Sequence, residues 1–200
     1  MKEFIYMKKS ILNNSKLNYT EKIVLSFIEN LRNFHFKNDT ISTILGMDIR
    51  TIMRSLKRLD KLNYIIISKK INNRSISYNY VDETKRSSIL ITKYVLNLKL
   101  SSNKKVLLSL LISLSKRKSG CTAMNTYLSE RLNLSKSRLK RMIIELKNDD
   151  LTKGFFLNFS YDRQGKFITG RTLTMNEKYY TNVGETKLAH TKGQNWPIYR

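Results

Sequence analysis

The sequence predicts an α+β chain, mainly α with small β wings, in which one compact unit is present twice. Apolar residues recur at helical spacing in several separate segments. Two of these segments follow a tight turn and carry a stripe of Arg and Lys. And the 200 residues align with themselves over two long stretches. LNYTEKIVLSFIENL from Leu17 matches LSSNKKVLLSLLISL from Leu100 at an offset of 83 (100 − 17). Lys22 then falls on Lys105, Leu25 on Leu108, Ser26 on Ser109 and Leu31 on Leu114. Upstream, Tyr6-Met7 aligns with Ile89-Leu90. Downstream the offset becomes 87 (133 − 46), with Gly46 on Asn133, Met47 on Leu134, Asp48 on Ser135, Ile52 on Leu139, Arg54 on Arg141, Leu56 on Ile143 and Leu59 on Leu146. The extra residues enter in the KRKSGC loop. A repeat this long means two copies of a domain, not a solenoid of short units.

In order along the chain, Phe4 to Leu12 alternates loosely and predicts a short strand. Asn18-Tyr-Thr-Glu21 resembles a capping box, with Glu three residues after the capping side chain. The helix from Glu21 to Leu31 places Ile23, Val24, Phe27, Ile28 and Leu31 on one face. Thr40 to Tyr64 then reads as a short helix, a turn at Gly46, and a longer helix capped by Asp48. Gly46 suits a left-handed turn, and Asn133 tolerates the same geometry in the second copy. In the longer helix Ile49, Ile52, Met53, Leu56 and Leu59 are expected to pack inward. Arg50, Arg54 and Arg58 recur on the other side, with Thr51 and Ser55 beside them. Thr126 to Leu151 repeats the pattern. Each long helix leads into strand-like sequence: Tyr64 to Ser68, a turn at Asn72-Asn73-Arg74, then Ser75 to Val81; and Phe155 to Tyr161, a turn over Asp162 to Lys166, then Phe167 to Met175. Three helices and a hairpin make the winged helix-turn-helix plan. The expected layout is two such domains in tandem, 1–82 and 89–180, joined by a polar linker at 83–88 and followed by a tail at 181–200.

Composition bounds the partner. There are 38 Lys plus Arg against 15 Asp plus Glu, a net charge of +23, with a pI of about 10.1. Charge of one sign at this density calls for a polyanion. No apolar run reaches the roughly 18 residues of a membrane span, and the start, MKEFIYMKKSILNN, makes a poor signal peptide. A single Cys121 excludes an internal disulfide and agrees with a reducing cytoplasm. Double-stranded DNA is therefore the expected partner and the bacterial cytoplasm, at nucleoid or plasmid, the expected place. No membrane partner and no cofactor are expected. A homodimer or cooperative assembly on DNA stays open, because two readers per chain lessen the need for a dimer without forbidding one.

A capped basic helix behind a tight turn can enter the major groove N-terminus first. Arg forks match guanine O6 and N7, and Thr or Ser can serve several base edges. Arg50, Thr51 and Arg54, with Ser137, Arg138 and Arg141 at the 87 offset, are the candidate base readers. Arg58, Lys69, Lys70, Arg74, Lys136, Lys140, Arg163 and Lys166 are candidates for the DNA backbone and the wings, where phosphate contacts give affinity and register. Arg58 falls on Glu145, so the two copies are not equivalent readers.

FIYMKKSILNNSKLNYTEKIVLSFIENL, followed by the turn-helix pattern and hairpin, resembles winged-helix domains of plasmid and phage replication initiators and of transcription regulators of Gram-positive mobile elements. The resemblance covers about residues 4–81 and 88–178. It implies a transcriptional regulator or, alternatively, a replication initiator or relaxosome accessory protein on repeated origin sites. YDRQGKFITGRTLTMN is faintly similar to the wing of MarR-type regulators, without that family's dimerisation helices.

Catalysis is not expected. Phe34-His35-Phe36 does not supply the His-x-His pair of a rolling-circle nickase, and His190-Thr-Lys-Gly does not match the His-x-x-Arg box of a tyrosine recombinase. One Cys and two distant His cannot build a zinc site, and the seven scattered Gly form no phosphate loop. Asp149-Asp150 reads as a helix end and a turn. Base stacking on the eleven tyrosines would suit single strands or RNA, but Tyr64, Tyr78, Tyr80 and Tyr94 fall at strand-like or core positions and are expected to pack.

Overall fold

A computed structural model of the chain describes residues 4–31, 33–70, 73–80, 88–115, 121–164 and 167–176. The first series of elements is β1 (Phe4–Lys8), α1 (Lys9–Asn13), α2 (Tyr19–Leu31), β2 (Asn33–Phe34), α3 (Asn38–Leu45), α4 (Ile49–Lys61), β3 (Ile65–Lys70) and β4 (Asn73–Tyr78). The second is β5 (Ser88–Thr92), α5 (Lys93–Asn97), α6 (Ser102–Ser115), α7 (Asn125–Leu132), α8 (Lys136–Asn148), β6 (Phe156–Gln164) and β7 (Phe167–Met175). The order repeats element by element, apart from a 3-10 turn at Lys153–Phe155 between α8 and β6. Even the two-residue β2, which joins β4 through Phe34↔Ile76, has a counterpart: an isolated bridge, Cys121↔Leu173, beside β7.

The capping box forms as expected. Asn18 Oδ1 accepts the Glu21 N–H and Glu21 Oε2 accepts the Asn18 N–H, both at 2.9 Å. The helix it starts is buried well beyond one face, continuously from Glu21 to Ile28. The reason is its central position: β1, α4 and α6 all pack against α2. Its counterpart α6 is buried from Lys105 to Ile112, for it lies among α2, β5, α8 and β7.

β1 and β5 pair with each other, antiparallel, with Ile5↔Ile91, Tyr6↔Leu90 and Met7↔Ile89. Phe4 and Ser88 open the two strands, an offset of 84 (88 − 4). Tyr6 is thus equivalent to Leu90 and Met7 to Ile91, one position from the sequence alignment of Tyr6-Met7 with Ile89-Leu90. Burial decides the register, since Ile5, Met7, Ile89 and Ile91 all point into the core and a slip of one residue would turn them outward. The ladder is symmetric about the Tyr6↔Leu90 pair. The contacts around it are reciprocal: α1 packs on α7, and α3 on α5. Buried apolar side chains of both series form one continuous cluster.

Several boundaries differ from the sequence reading. The initial strand stops at Lys8, and Lys9 to Asn13 turn into α1, which buries Ile11 and Leu12. In the first hairpin Lys69 and Lys70 remain in β3 and Arg74 already lies in β4. In the second, the strand runs on through Asp162 to Gln164, with a bulge between Asp162 and Arg163. Residues 81–87, which include most of the linker at 83–88, and the tail at 181–200 lie outside the described residues.

Candidate nucleic-acid interface

Both turns between the paired helices are left-handed where the sequence places them. Gly46 has φ 57° and Asn133 has φ 48°. Across the first turn the Met47 N–H donates to the Ser42 carbonyl at 3.1 Å, and the Ser42 hydroxyl donates to the Met47 carbonyl. The second turn repeats the backbone bond, with Leu134 N–H on the Ser129 carbonyl at 2.9 Å. Asp48 Oδ2 accepts the Thr51 N–H at 3.0 Å and Ser135 Oγ accepts the Arg138 N–H at 3.3 Å, so both long helices carry a side-chain N-cap. Left-handed Asn63 ends α4, and the Tyr64 N–H returns to the Leu59 carbonyl at 2.9 Å.

The inward stripe of α4 is Ile52, Ser55, Leu56 and Leu59, the i, i+3, i+4, i+7 set of a packed helix. Two expectations change. Ser55, expected beside the arginines, is buried, and Met53, expected inside, is 52% exposed. α8 buries Leu139, Met142, Ile143 and Leu146 in the same way. Arg50, Arg54, Ser137, Arg138, Arg141, Lys136 and Lys140 are all exposed, while Thr51 is half-buried with its hydroxyl 3.4 Å from Asp48 Oδ2. Among the described residues Arg50 and Arg54 have no ion pair. Arg141 is 73% exposed, with Nε 3.8 Å from Glu145 Oε1 one turn on, and Glu145 Oε2 also takes Lys104 Nζ of α6 at 3.2 Å.

Two candidate phosphate contacts are engaged within the chain. Arg58 Nε lies 3.3 Å from Glu21 Oε1, and its Nη2 donates to the Lys16 carbonyl at 3.2 Å, tying α4 to the cap of α2. Arg74 Nη1 donates to Asn38 Oδ1 and Nη2 to the Phe36 carbonyl, both at 2.8 Å; burial pushes its guanidinium below its usual range. Arg74 thus fastens β4 to the start of α3, where the sequence reading expected an open wing cation. The side chains of Lys69, Lys70 and Arg163, and the whole of Lys166, lie outside the described residues. The tyrosines expected to pack do so beside the first hairpin: Tyr80 meets Tyr64 and Tyr78 edge to face, at 5.0 and 6.3 Å between centroids. Tyr94 is 44% exposed and leans on Phe155.

A second layer of contacts, invisible to the sequence reading, connects the two series at their turns. Lys105 of α6 is 2% exposed. Its Nζ donates to the Leu96 carbonyl and, at 3.3 Å, to the Gly46 carbonyl in the opposite turn. Lys22 of α2 is its equivalent, 3% exposed, with Nζ donating to the Leu12 carbonyl at 2.6 Å. Burial lowers both ammonium pKa values from the ordinary 10.5. The Tyr19 phenol donates to the Leu132 carbonyl beside the other turn; burial pushes it up to about 12, with nearby Arg138 pulling the other way. Each turn is therefore held by a side chain from the opposite series.

A capped, exposed basic helix set by a left-handed turn against a shorter one is helix-turn-helix geometry. Residues 15–65, which span α2, α3 and α4, match the family described as helix-turn-helix domain, which supports a DNA-binding domain there. No curated protein matches the chain. Among the described residues no helix is long and apolar enough to cross a membrane, and no group of three or more His, Cys, Asp or Glu could hold a metal ion.

Proposed function

We propose that the chain is a non-enzymatic, sequence-specific transcription regulator of the bacterial cytoplasm. In this reading it comprises two winged helix-turn-helix units that read the major groove of double-stranded DNA with α4 and α8. The observation that carries the reading is that both long helices, each behind a left-handed turn and each side-chain capped, leave Arg50, Arg54, Arg138 and Arg141 exposed. Arg50, Thr51, Arg54, Ser137, Arg138 and Arg141 are the base readers. Phosphate contacts come from Lys136, Lys140 and the wings. The repetition of the whole element series favours a second reading, an initiator that occupies repeated origin sites.

Selection of bound duplexes from a random pool supplies the target. On that duplex Arg54→Ala is expected to cost roughly 1–3 kcal/mol of binding free energy and to relax preference at its base pair. Affinity should fall steeply with salt as condensed counterions are released. Equal affinity for a scrambled duplex would remove the claim of sequence reading. Footprints decide between the roles: one protected promoter site marks the regulator, and cooperative protection of iterated sites beside an AT-rich segment marks the initiator.

A further inference from the structure

The offset that aligns Leu17 with Leu100 also places Glu21 on Lys104, and the later offset places Arg58 on Glu145. The pairs Glu21–Arg58 and Lys104–Glu145 bridge equivalent helices, α2 to α4 and α6 to α8, at 3.3 and 3.2 Å. One interhelix tie thus occurs twice with its charges exchanged. In the first series the long helix contributes the cation; in the second it contributes the anion. The consequence falls on the arginine one turn earlier. Arg54 has Arg58 at i+4 and, among the described residues, no carboxylate partner. Arg141 has Glu145 at i+4, 3.8 Å away. Lys104, 22% exposed at its side chain, also pairs with that carboxylate, through its other oxygen.

We propose that Glu145 makes the two DNA readers unequal: it competes with DNA for the Arg141 guanidinium and sets a negative charge against the phosphates, so that α4 supplies most of the affinity and α8 is the weaker reader. A carboxylate facing a polyanion is repelled, and an arginine already paired must give up that pair to bind a base. The inference rests on the reading of α4 and α8 as DNA readers.

The test exchanges the charges back. In the double variant K104E/E145R the tie is kept with the polarity of the first series, the net charge is unchanged, and Arg141 is released. On the duplex selected by the wild-type chain, the variant is expected to bind roughly three- to tenfold more tightly, and its log affinity to fall with log salt by about one more unit of slope. E145Q serves where the double variant does not fold. It is expected to tighten binding less, and Arg141→Ala should then cost more in the E145Q background than in the wild type. Unchanged or weaker binding by a natively folded variant, or an Arg141→Ala cost that is the same in both backgrounds, would overturn the role of Glu145. A wild-type chain that enriches no duplex from the pool would instead overturn the DNA-reading assignment beneath it.

Discussion

Gly46 meets two independent demands. Its φ of 57° is the left-handed conformation that costs other L residues roughly 1–2 kcal/mol. A Cβ there would also stand 2.5 Å from the Leu96 carbonyl oxygen, 3.2 Å from the Leu96 carbonyl carbon and 3.3 Å from the Asn97 Cα. All three are backbone atoms of the opposite series, so no flexible side chain can yield. Gly46→Ala is expected to lower stability by about 2–4 kcal/mol, the strain of the turn plus a forced backbone shift. Asn133→Ala, where conformation is the main cost, should lose only about 1 kcal/mol. Urea unfolding of the two variants measures the difference; equal losses would mean that the contact with Leu96 gives way freely. The left-handed demand was legible in the sequence, because a turn between two helical patterns is a local signal. The second demand was not, because Leu96 is 50 residues away (96 − 46) and comes close only through the folded core.

At the scale of elements, what could be read was what helical spacing and caps determine within one segment. The pairing of α3 with α4 and of α7 with α8, the Asp48 and Ser135 caps and the Asn18–Glu21 box all have their partners within a few residues. Met53 was misplaced because the buried stripe of α4 follows the helical period through Ile52, Ser55, Leu56 and Leu59, which puts Ser55 inside and Met53 outside. α1 and α5, five residues each, are too short for a periodic signal. The ties between elements were hidden altogether, most of all the buried lysines. In the sequence Lys22 and Lys105 are only an aligned pair of the repeat; in the fold they are donors to backbone carbonyls. Lys105→Met would leave carbonyl groups without their charged donor and is expected to destabilise the chain by roughly 1–3 kcal/mol. The pH dependence has a definite sign. The folded-state pKa of Lys105 is depressed, so below it the folded chain bears the full cost of a buried ammonium. As pH rises from that value towards 10.5, the unfolded chain holds the extra proton and the wild type gains stability that the Met variant does not. The gap between wild type and K105M should therefore widen across that window. A gap that narrows would mean that the ammonium is better solvated than its 2% exposure implies.

For the whole molecule, the reciprocal contacts set the size of the cooperative unit. Among the described residues β1 finds its strand partner in β5, α2 and α6 pack against each other, and one apolar cluster takes Ile5, Met7, Ile89, Ile91, Leu107 and Leu111 from both series. Neither series can lose its fold without stripping the other of a strand partner and a helix face. Burying each of those side chains stabilises the fold by roughly 1.5–3 kcal/mol, and unfolding one series would expose those that the other buries. Calorimetry is therefore expected to show one transition, with van 't Hoff and calorimetric enthalpies equal. Gly46→Ala, placed in the first turn, should lower that single midpoint without splitting it. The same coupling holds α4 and α8 in a fixed relation, so a duplex with its two half-sites moved apart by half a helical turn, about five base pairs, should lose most of the second helix's contribution. Two resolved transitions, or indifference to the spacer, would mean that the β1–β5 ladder and the α2–α6 contact open readily and that the two series act as independent readers on a tether.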